Sequence, residues 1–233
     1  DRYSGDIPVD LLSFDTGICV NPQWSPDGQH ILFGYGTPTS PIDLWTISIA
    51  SQECRQLTNS EAFPNSAQNL IAPEKIYYPT FDSLSIPAYL YSPQTKQTGS
   101  NYPAILLIHG GPTSQFVDDY QPYVQFFVEQ GYVVLLPNIR GSSGYGKVFE
   151  ELNNRDWGGD DLRDAIAGAE FLKTLDYVNP QSIGITGTSY GGILTMCAVS
   201  FAPGVFQAAV PMSGRPPPRR EDECGGPQNR PRR

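Results

Sequence analysis

The sequence predicts an α/β fold, a parallel sheet with helices on both faces, for the region from residue 103 onward. Three observations carry that expectation. Apolar runs of strand length alternate with segments of helical periodicity. The runs are nearly continuous, as in PAILLIHGG (103–111) and YVVLLPNIRG (132–141), which is the pattern of strands covered on both faces. Glycines close the runs, where the chain must turn back.

The elements follow in order. NPQWSPDGQHILFGYG (21–36) holds a Pro26-Asp27-Gly28 turn followed by the apolar run Ile31–Phe33, and DLWTISI (43–49) alternates as a strand does before LTNS breaks it. Strand, turn and strand at this spacing resemble one blade of a β-propeller, and one blade does not close a propeller. Residues 61–74 read as a linker. KIYYPTFDSLSIPAYLY (75–91) reads as a hairpin turning near Asp82 and Ser83, with Pro87 arguing for an edge or a bulge. DDYQPYVQFFVEQG (118–131) reads as a helix with Tyr123, Phe126 and Phe127 on one side, the expected apolar face, and Gly131 as its C-cap. GGDDLRDAIAGAEFLKTL (158–175) is the strongest helix, with Leu162, Ala165, Ile166 and Ala169 at helical spacing and acids in its first turn. QSIGITG (181–187) is a third buried strand, YGGILTMCAVS (190–200) a third helix, and VFQAAV (205–210) a fourth strand. Beyond residue 214 the Pro- and Arg-rich stretch has no apolar periodicity, so 215–233 is expected to be a disordered tail.

Bulk composition narrows the function. The chain has 233 residues, 39% apolar residues and a formal net charge of -9. An acidic surface repels nucleic acid, and six of the fifteen Lys and Arg residues stand in the last 19 positions, mixed with acid. No apolar run approaches the length that spans a bilayer, so no membrane partner is expected. Cys19, Cys54, Cys197 and Cys224 are scattered without a C-x-x-C pair, which argues against a metal cluster and for a reduced, cytoplasmic protein; no cofactor or metal is expected. The first residue is Asp1, so a part upstream is expected to be absent.

The chemistry centres on ITGTSYGG (185–192). Ser189 lies between Gly187 and Gly191 in a G-x-S-x-G pattern, after a predicted strand and before a predicted helix. That is the context of a nucleophile elbow, whose crowded backbone needs small neighbours. A serine nucleophile creates an oxyanion, so donors must wait for it. The Tyr190 N–H is one candidate, and HGGP (109–112) supplies another through Gly110 or Gly111. His109 precedes the serine on an earlier strand, and its expected role is to hold the oxyanion loop rather than to act as the base. His30 is a solvated turn position. Asp160, Asp161 and Asp164 open a helix, where capping and the helix dipole explain them. Cys197 is expected in the core. RGSSGYG (140–146) fits neither a dinucleotide nor a P-loop pattern. Arg140 there is left between contacting a substrate carboxylate or carbonyl and forming a structural ion pair.

W-S-P-D-G (24–28), HGGP (109–112), N-x-R-G-S-x-G-Y-G (138–146), W-G-x-x-D (157–161) and G-T-S-Y-G-G (187–192) occur in one order along the chain. Together they resemble the prolyl oligopeptidase family of serine peptidases, nearest its acylaminoacyl-peptidase and dipeptidyl-peptidase-like branch. The resemblance implies a β-propeller that caps an α/β-hydrolase domain and admits short peptides, N-acylated ones included. It implies amide hydrolysis through an acyl-enzyme on Ser189, with Tyr190, Gly110 and Gly111 at the oxyanion positions. On that basis residues 1–60 are a partial propeller, 61–214 the N-terminal part of an incomplete α/β-hydrolase sheet, and 215–233 the tail. The family places its acid and base after the serine. Here Asp222 is the one aspartate that follows Ser189, and no histidine does. The chain is therefore expected to be truncated after the nucleophile and nearly inactive; an esterase or lipase of the same fold and a noncatalytic peptide-binding remnant are the alternatives.

Overall fold

The computed structural model describes residues 14–60 and 70–214. The tail expected over 215–233, Asp222 and Cys224 included, lies outside the described residues. Two compact units separate. One gathers the residues up to Leu70 with Val117–Pro122, and the other gathers Ile71–Phe116 with the residues from Tyr123 on.

The first unit is a four-stranded antiparallel sheet in chain order: β1 (Ile18–Trp24), β2 (His30–Thr37), β3 (Ser40–Ser48) and β4 (Cys54–Gln56). The W-S-P-D-G turn joins β1 to β2. Gly28 takes φ +68 there and donates its N–H to the Ser25 carbonyl at 2.9 Å, a conformation that favours glycine. His30 is exposed beside this turn. On β3, Asp43 and Ile47 point inward and Leu44 outward, the period of a half-covered strand. Asp43 is 3% exposed. Its carboxylate accepts from the Gln56 amide at 3.1 Å, the Thr58 hydroxyl at 2.7 Å and both the N–H and the hydroxyl of Ser60 at 3.0 Å. The L-T-N-S break thus folds back as a polar clamp on the aspartate of D-L-W. Burial works against the carboxylate, but the Thr58, Ser60 and Gln56 bonds outweigh it and hold Asp43 below its ordinary range.

The second unit is a six-stranded mixed sheet with flanking helices, in the order β10-β9-β7-β8-β6-β5. Strands β7 (Tyr102–Ile108), β8 (Val133–Pro137), β9 (Val178–Thr188) and β10 (Ala208–Met212) run parallel, as the apolar runs predict. The hairpin β5 (Glu74–Pro79) and β6 (Ser85–Tyr91) joins them antiparallel through β8, so the sheet is not parallel throughout. The hairpin turns at Ser83, at φ 66, as expected. Pro87 is not on an edge, because β6 pairs on both sides. Its carbonyl accepts from Asn138, just past the end of β8, and its missing N–H faces the same side, where the ladder has already stopped.

Side chains alternate between two cores. Ala104, Leu106 and Ile108 of β7 and Val133 and Leu135 of β8 pack with α3 (Asp160–Lys173) and α4 (Tyr190–Phe201), and Cys197 lies in this core as expected. Ile105, Leu107, Val134 and Leu136 face the opposite side, with α1 (Pro122–Glu129). Helix α1 corrects the expected packing face for two of its three aromatics, while Phe127 packs against this core. Val124 and Val128 are buried at i, i+4, whereas Tyr123 is 77% exposed and Phe126 is exposed too. Gln125 fixes this orientation. Its buried amide accepts from the Ile71 N–H and donates to the Ile71 carbonyl, both at 2.9 Å. Helix α3 follows its predicted face, with Leu162, Ala165, Ala169 and Leu172 fully buried and Ile166 half-buried. Its first N–H is capped by Asp156 at 2.9 Å, not by the aspartates inside the helix. A short helix α2 (Lys147–Glu150) and a 3-10 turn (Glu151–Asn153) lead toward it.

Candidate active site

The chain leaves β9 at Thr188 and enters α4 at Tyr190, so Ser189 alone makes the bend. Its φ of 58 and ψ of -116 lie outside the regions a serine prefers, and its side chain is exposed. Two backbone bonds hold it there. The Ser189 N–H donates to the Met212 carbonyl and the Ser189 carbonyl accepts from Ile193, both at 3.0 Å. The flanking glycines are required by close approach. A Cβ on Gly187 would stand 2.6 Å from the Ile108 carbonyl oxygen, and one on Gly192 would stand 2.5 Å from that of Met212. A Cβ on Gly191 would run into the Ile108 carbonyl and lie 2.9 Å from the His109 carbonyl oxygen. The elbow and the end of β7 are therefore packed backbone to backbone.

That packing brings the two sequence-predicted segments together. A Cβ on Gly110 would meet the Ser189 Cβ at 3.6 Å and the Thr188 carbonyl oxygen at 3.4 Å. Gly111 follows at φ 117, where a side chain would stand 2.7 Å from the Thr113 nitrogen. Tyr190 occupies the first helical position, whose N–H has no intrahelical acceptor. His109 is buried and tied at both ring nitrogens. Nδ1–H donates to the Gly110 carbonyl at 2.6 Å, and Nε2 lies 2.8 Å from the Ser142 hydroxyl oxygen, which is 2.6 Å from the Ile139 carbonyl oxygen. Burial pushes the His109 pKa down, against the Gly110 bond. Its partners make it a brace for the 109–111 loop.

Arg140, left open by sequence, is an internal ion-pair residue. It is 3% exposed, and its guanidinium forms a two-pronged contact with Asp164 at 2.8 and 2.9 Å. Asp82 and Asp160 add contacts at 3.1 and 3.5 Å. Burial alone would lower the Arg140 pKa, but the Asp164 and Asp82 bonds reverse that and keep it charged. Asp164 and Asp161 are both fully buried, so the expectation that helix capping and the dipole suffice for them is corrected. Sequence reasoning also missed the Tyr190 side chain. It is 2% exposed, its hydroxyl donates to Asp161, and its ring meets Trp157 edge-on at 5.3 Å. The signal was present in W-G-x-x-D, but periodicity does not say what a helix aspartate faces.

Ser189 is exposed. Two surface hollows lie away from it, one of about 500 Å³ at His30, Thr46 and Arg55, the other of about 690 Å³ at Tyr78, Phe81, Ile166 and Phe171. Among the described residues no group of His, Cys, Asp and Glu is arranged to hold a metal, and no helix is long and apolar enough to cross a membrane.

Residues 119–215 match the model of the prolyl oligopeptidase family. The uncharacterized peptidase YuxL of Bacillus subtilis (strain 168) is 34% identical over 187 residues, covering 80% of this chain and 28% of that protein. Dipeptidyl-peptidase 5 of Porphyromonas endodontalis is 30% identical over 155 residues, covering 66% of this chain and 22% of the relative. The chain thus spans less than a third of the length of these curated relatives. Among solved structures, the Pyrococcus horikoshii acylaminoacyl peptidase superposes with a TM-score of 0.77 at 24% identity, covering 91% of this chain and 33% of that one. A Mycobacterium tuberculosis puromycin-hydrolyzing peptidase gives 0.70 at 27% identity, covering 78% and 29%. The chain therefore has the prolyl-oligopeptidase-family fold, shared with an acylaminoacyl peptidase, and distant homologues among the dipeptidyl peptidases.

Proposed function

We propose that this chain is part of a serine peptidase that cleaves short peptides through an acyl-enzyme on Ser189. One observation carries the reading: an exposed serine at positive φ on a strand-to-helix bend, with Gly110 packed against it. In the reaction the Ser189 oxygen bonds to the scissile carbonyl carbon, the C=O electron pair moves onto oxygen, and the hydroxyl proton passes to a base. Collapse of the intermediate expels the amine, which takes up that proton, and water later frees the acyl group. The Tyr190 amide and those of Gly110 and Gly111 receive the oxyanion; removing one such donor costs on the order of 100-fold or more in rate. The peptide character of the substrate, N-acylated or not, rests on the homologous dipeptidyl and acylaminoacyl peptidases. The antiparallel sheet is assigned to a β-propeller, residues 61–214 to the hydrolase domain and 215–233 to a tail.

The 233 residues hold no histidine beyond His109. With that residue braced at both nitrogens, the chain alone is expected to react slowly. The test is labelling by a fluorophosphonate, with the modified residue located by mass spectrometry. Slow labelling confined to Ser189 and absent from Ser189→Ala supports the reading. Labelling that persists in Ser189→Ala overturns the assigned nucleophile, and rapid stoichiometric labelling overturns the expected inactivity.

A further inference from the structure

One buried polar contact beside Ser189 is not used by the reaction as written. Tyr190 follows Ser189 directly, yet its side chain points away from the surface into the core. Its hydroxyl donates to the outer oxygen of Asp161, Oδ2. The other oxygen, Oδ1, is already held by the Gly158 N–H at 2.9 Å and the Leu162 N–H at 2.8 Å. The Asp161 side chain is thereby fixed by backbone on both sides of the α3 start. Trp157 closes one flank of the Tyr190 ring, and Asn153, 1% exposed, lies beside the phenol. Two segments that are 29 positions apart in sequence meet at this one bond.

We infer that Asp161 is a positioning residue for the oxyanion site: through the Tyr190 hydroxyl it fixes the orientation of the Tyr190 main-chain N–H. The inference rests on the reading of Ser189 as the nucleophile. The side chain and the amide belong to one residue at the first position of α4. Tying the ring at its far end leaves that residue little freedom to turn, and catalytic groups lose effect when their supporting contacts loosen. The bond also makes the site pH-sensitive. Burial raises the Asp161 pKa to about 7, against the Tyr190 and Leu162 bonds, with Asp164 and Asp156 adding repulsion. Tyr190 faces the carboxyl from α4, and Cys197 of the same helix acts on the Tyr190 phenol. Arg140, after β8, is engaged by Asp164. Near neutral pH the carboxyl thus exchanges between a form that only accepts from Tyr190 and a protonated form that competes as a donor.

The test follows the ¹⁵N–¹H resonance of the Tyr190 amide in the full chain from pH 5 to 9. A shift with a midpoint of about 7 is expected. It is expected to vanish in Asp161→Asn and in Tyr190→Phe, which removes only the hydroxyl and keeps the buried ring. A Tyr190 amide that does not titrate, or that titrates unchanged in Tyr190→Phe, overturns the inference. Fluorophosphonate labelling at Ser189 is read in parallel. Asp161→Ala is expected to slow it on the order of 10- to 100-fold, with much of the rate restored in Asp161→Asn, which keeps a hydrogen-bonding partner for Tyr190. Labelling elsewhere than Ser189 refutes the nucleophile, whereas labelling at Ser189 at the parent rate in Asp161→Ala refutes the positioning role alone.

Discussion

Asp43 in the antiparallel sheet and Asp161 in the α/β unit solve the same problem with opposite outcomes. Each is a carboxylate with almost no exposed surface, met by neutral donors rather than by a cation. Asp43 is held below its ordinary pKa and Asp161 is raised to about 7. Asp43 lies in a four-stranded sheet, and its donors are 13 to 17 residues away in sequence. Asp161 lies between α3 and α4 over a six-stranded sheet, where desolvation is deep and Asp164 and Asp156 add like charge. Asp43 accepts from four donor groups and Asp161 from three, so hydrogen bonding, depth and charged neighbours together set the charge state. Asp164, one turn further along α3, shows the third solution, a buried cation supplied by Arg140.

The largest expected effect removes that cation. Arg140→Met leaves Asp164 buried without its partner, and a loss of about 3–5 kcal/mol in chemical denaturation is expected. Combined Arg140→Met and Asp164→Leu should recover much of it, because the uncompensated charge is gone. Gly191→Ala follows, at about 3 kcal/mol, since the new methyl group meets the Ile108 carbonyl and neither backbone segment is free to move. Both losses should appear as reduced amide protection in β7 and β9, with β2 and β3 unaffected; equal losses in both sheets would erase the contrast. Asp43→Ala should cost about 1–3 kcal/mol and deprotect β3 and β4, because the Thr58 and Ser60 donors lose their acceptor.

The pH dependence sharpens the contrast further. The Asp161 pKa is raised on folding, so its contribution is complete below the unfolded value of about 4 and is lost as pH rises to about 7. Asp43 is depressed, so its contribution is present above the unfolded value and is lost as pH falls through the folded one. Amide protection in the two units should therefore drift in opposite directions, and Asp161→Asn should flatten the α/β drift alone. The smallest effect is Leu44→Thr. That side chain is 46% exposed, and a change within about 0.5 kcal/mol is expected.

Legibility followed sequence distance. The W-S-P-D-G turn, the hairpin at Ser83, the four parallel strands and the α3 apolar face were readable, because each depends on neighbours within a few residues or on a regular period. The misplaced face of α1 shows the limit. Phe127 packs against the core, but Tyr123 and Phe126 do not; Val124, Gln125 and Val128 take the buried positions, with the Gln125 amide clamped to Ile71. The glycines around Ser189 were assigned to crowding by motif alone, and the backbone approach of β7 gives that crowding its physical cause.

By itself, the sequence determined the alternation of strands and helices, the position of Ser189 at a strand-to-helix junction, and the two glycine-rich segments that flank it. Tertiary structure alone decided the partners of the buried charges: Arg140 with Asp164, Tyr190 with Asp161, and His109 with Ser142. The reason is physical. Hydrophobic period is written in consecutive residues, whereas the cost of burying a charge depends on which distant atoms close around it, and those are known only once the chain has folded.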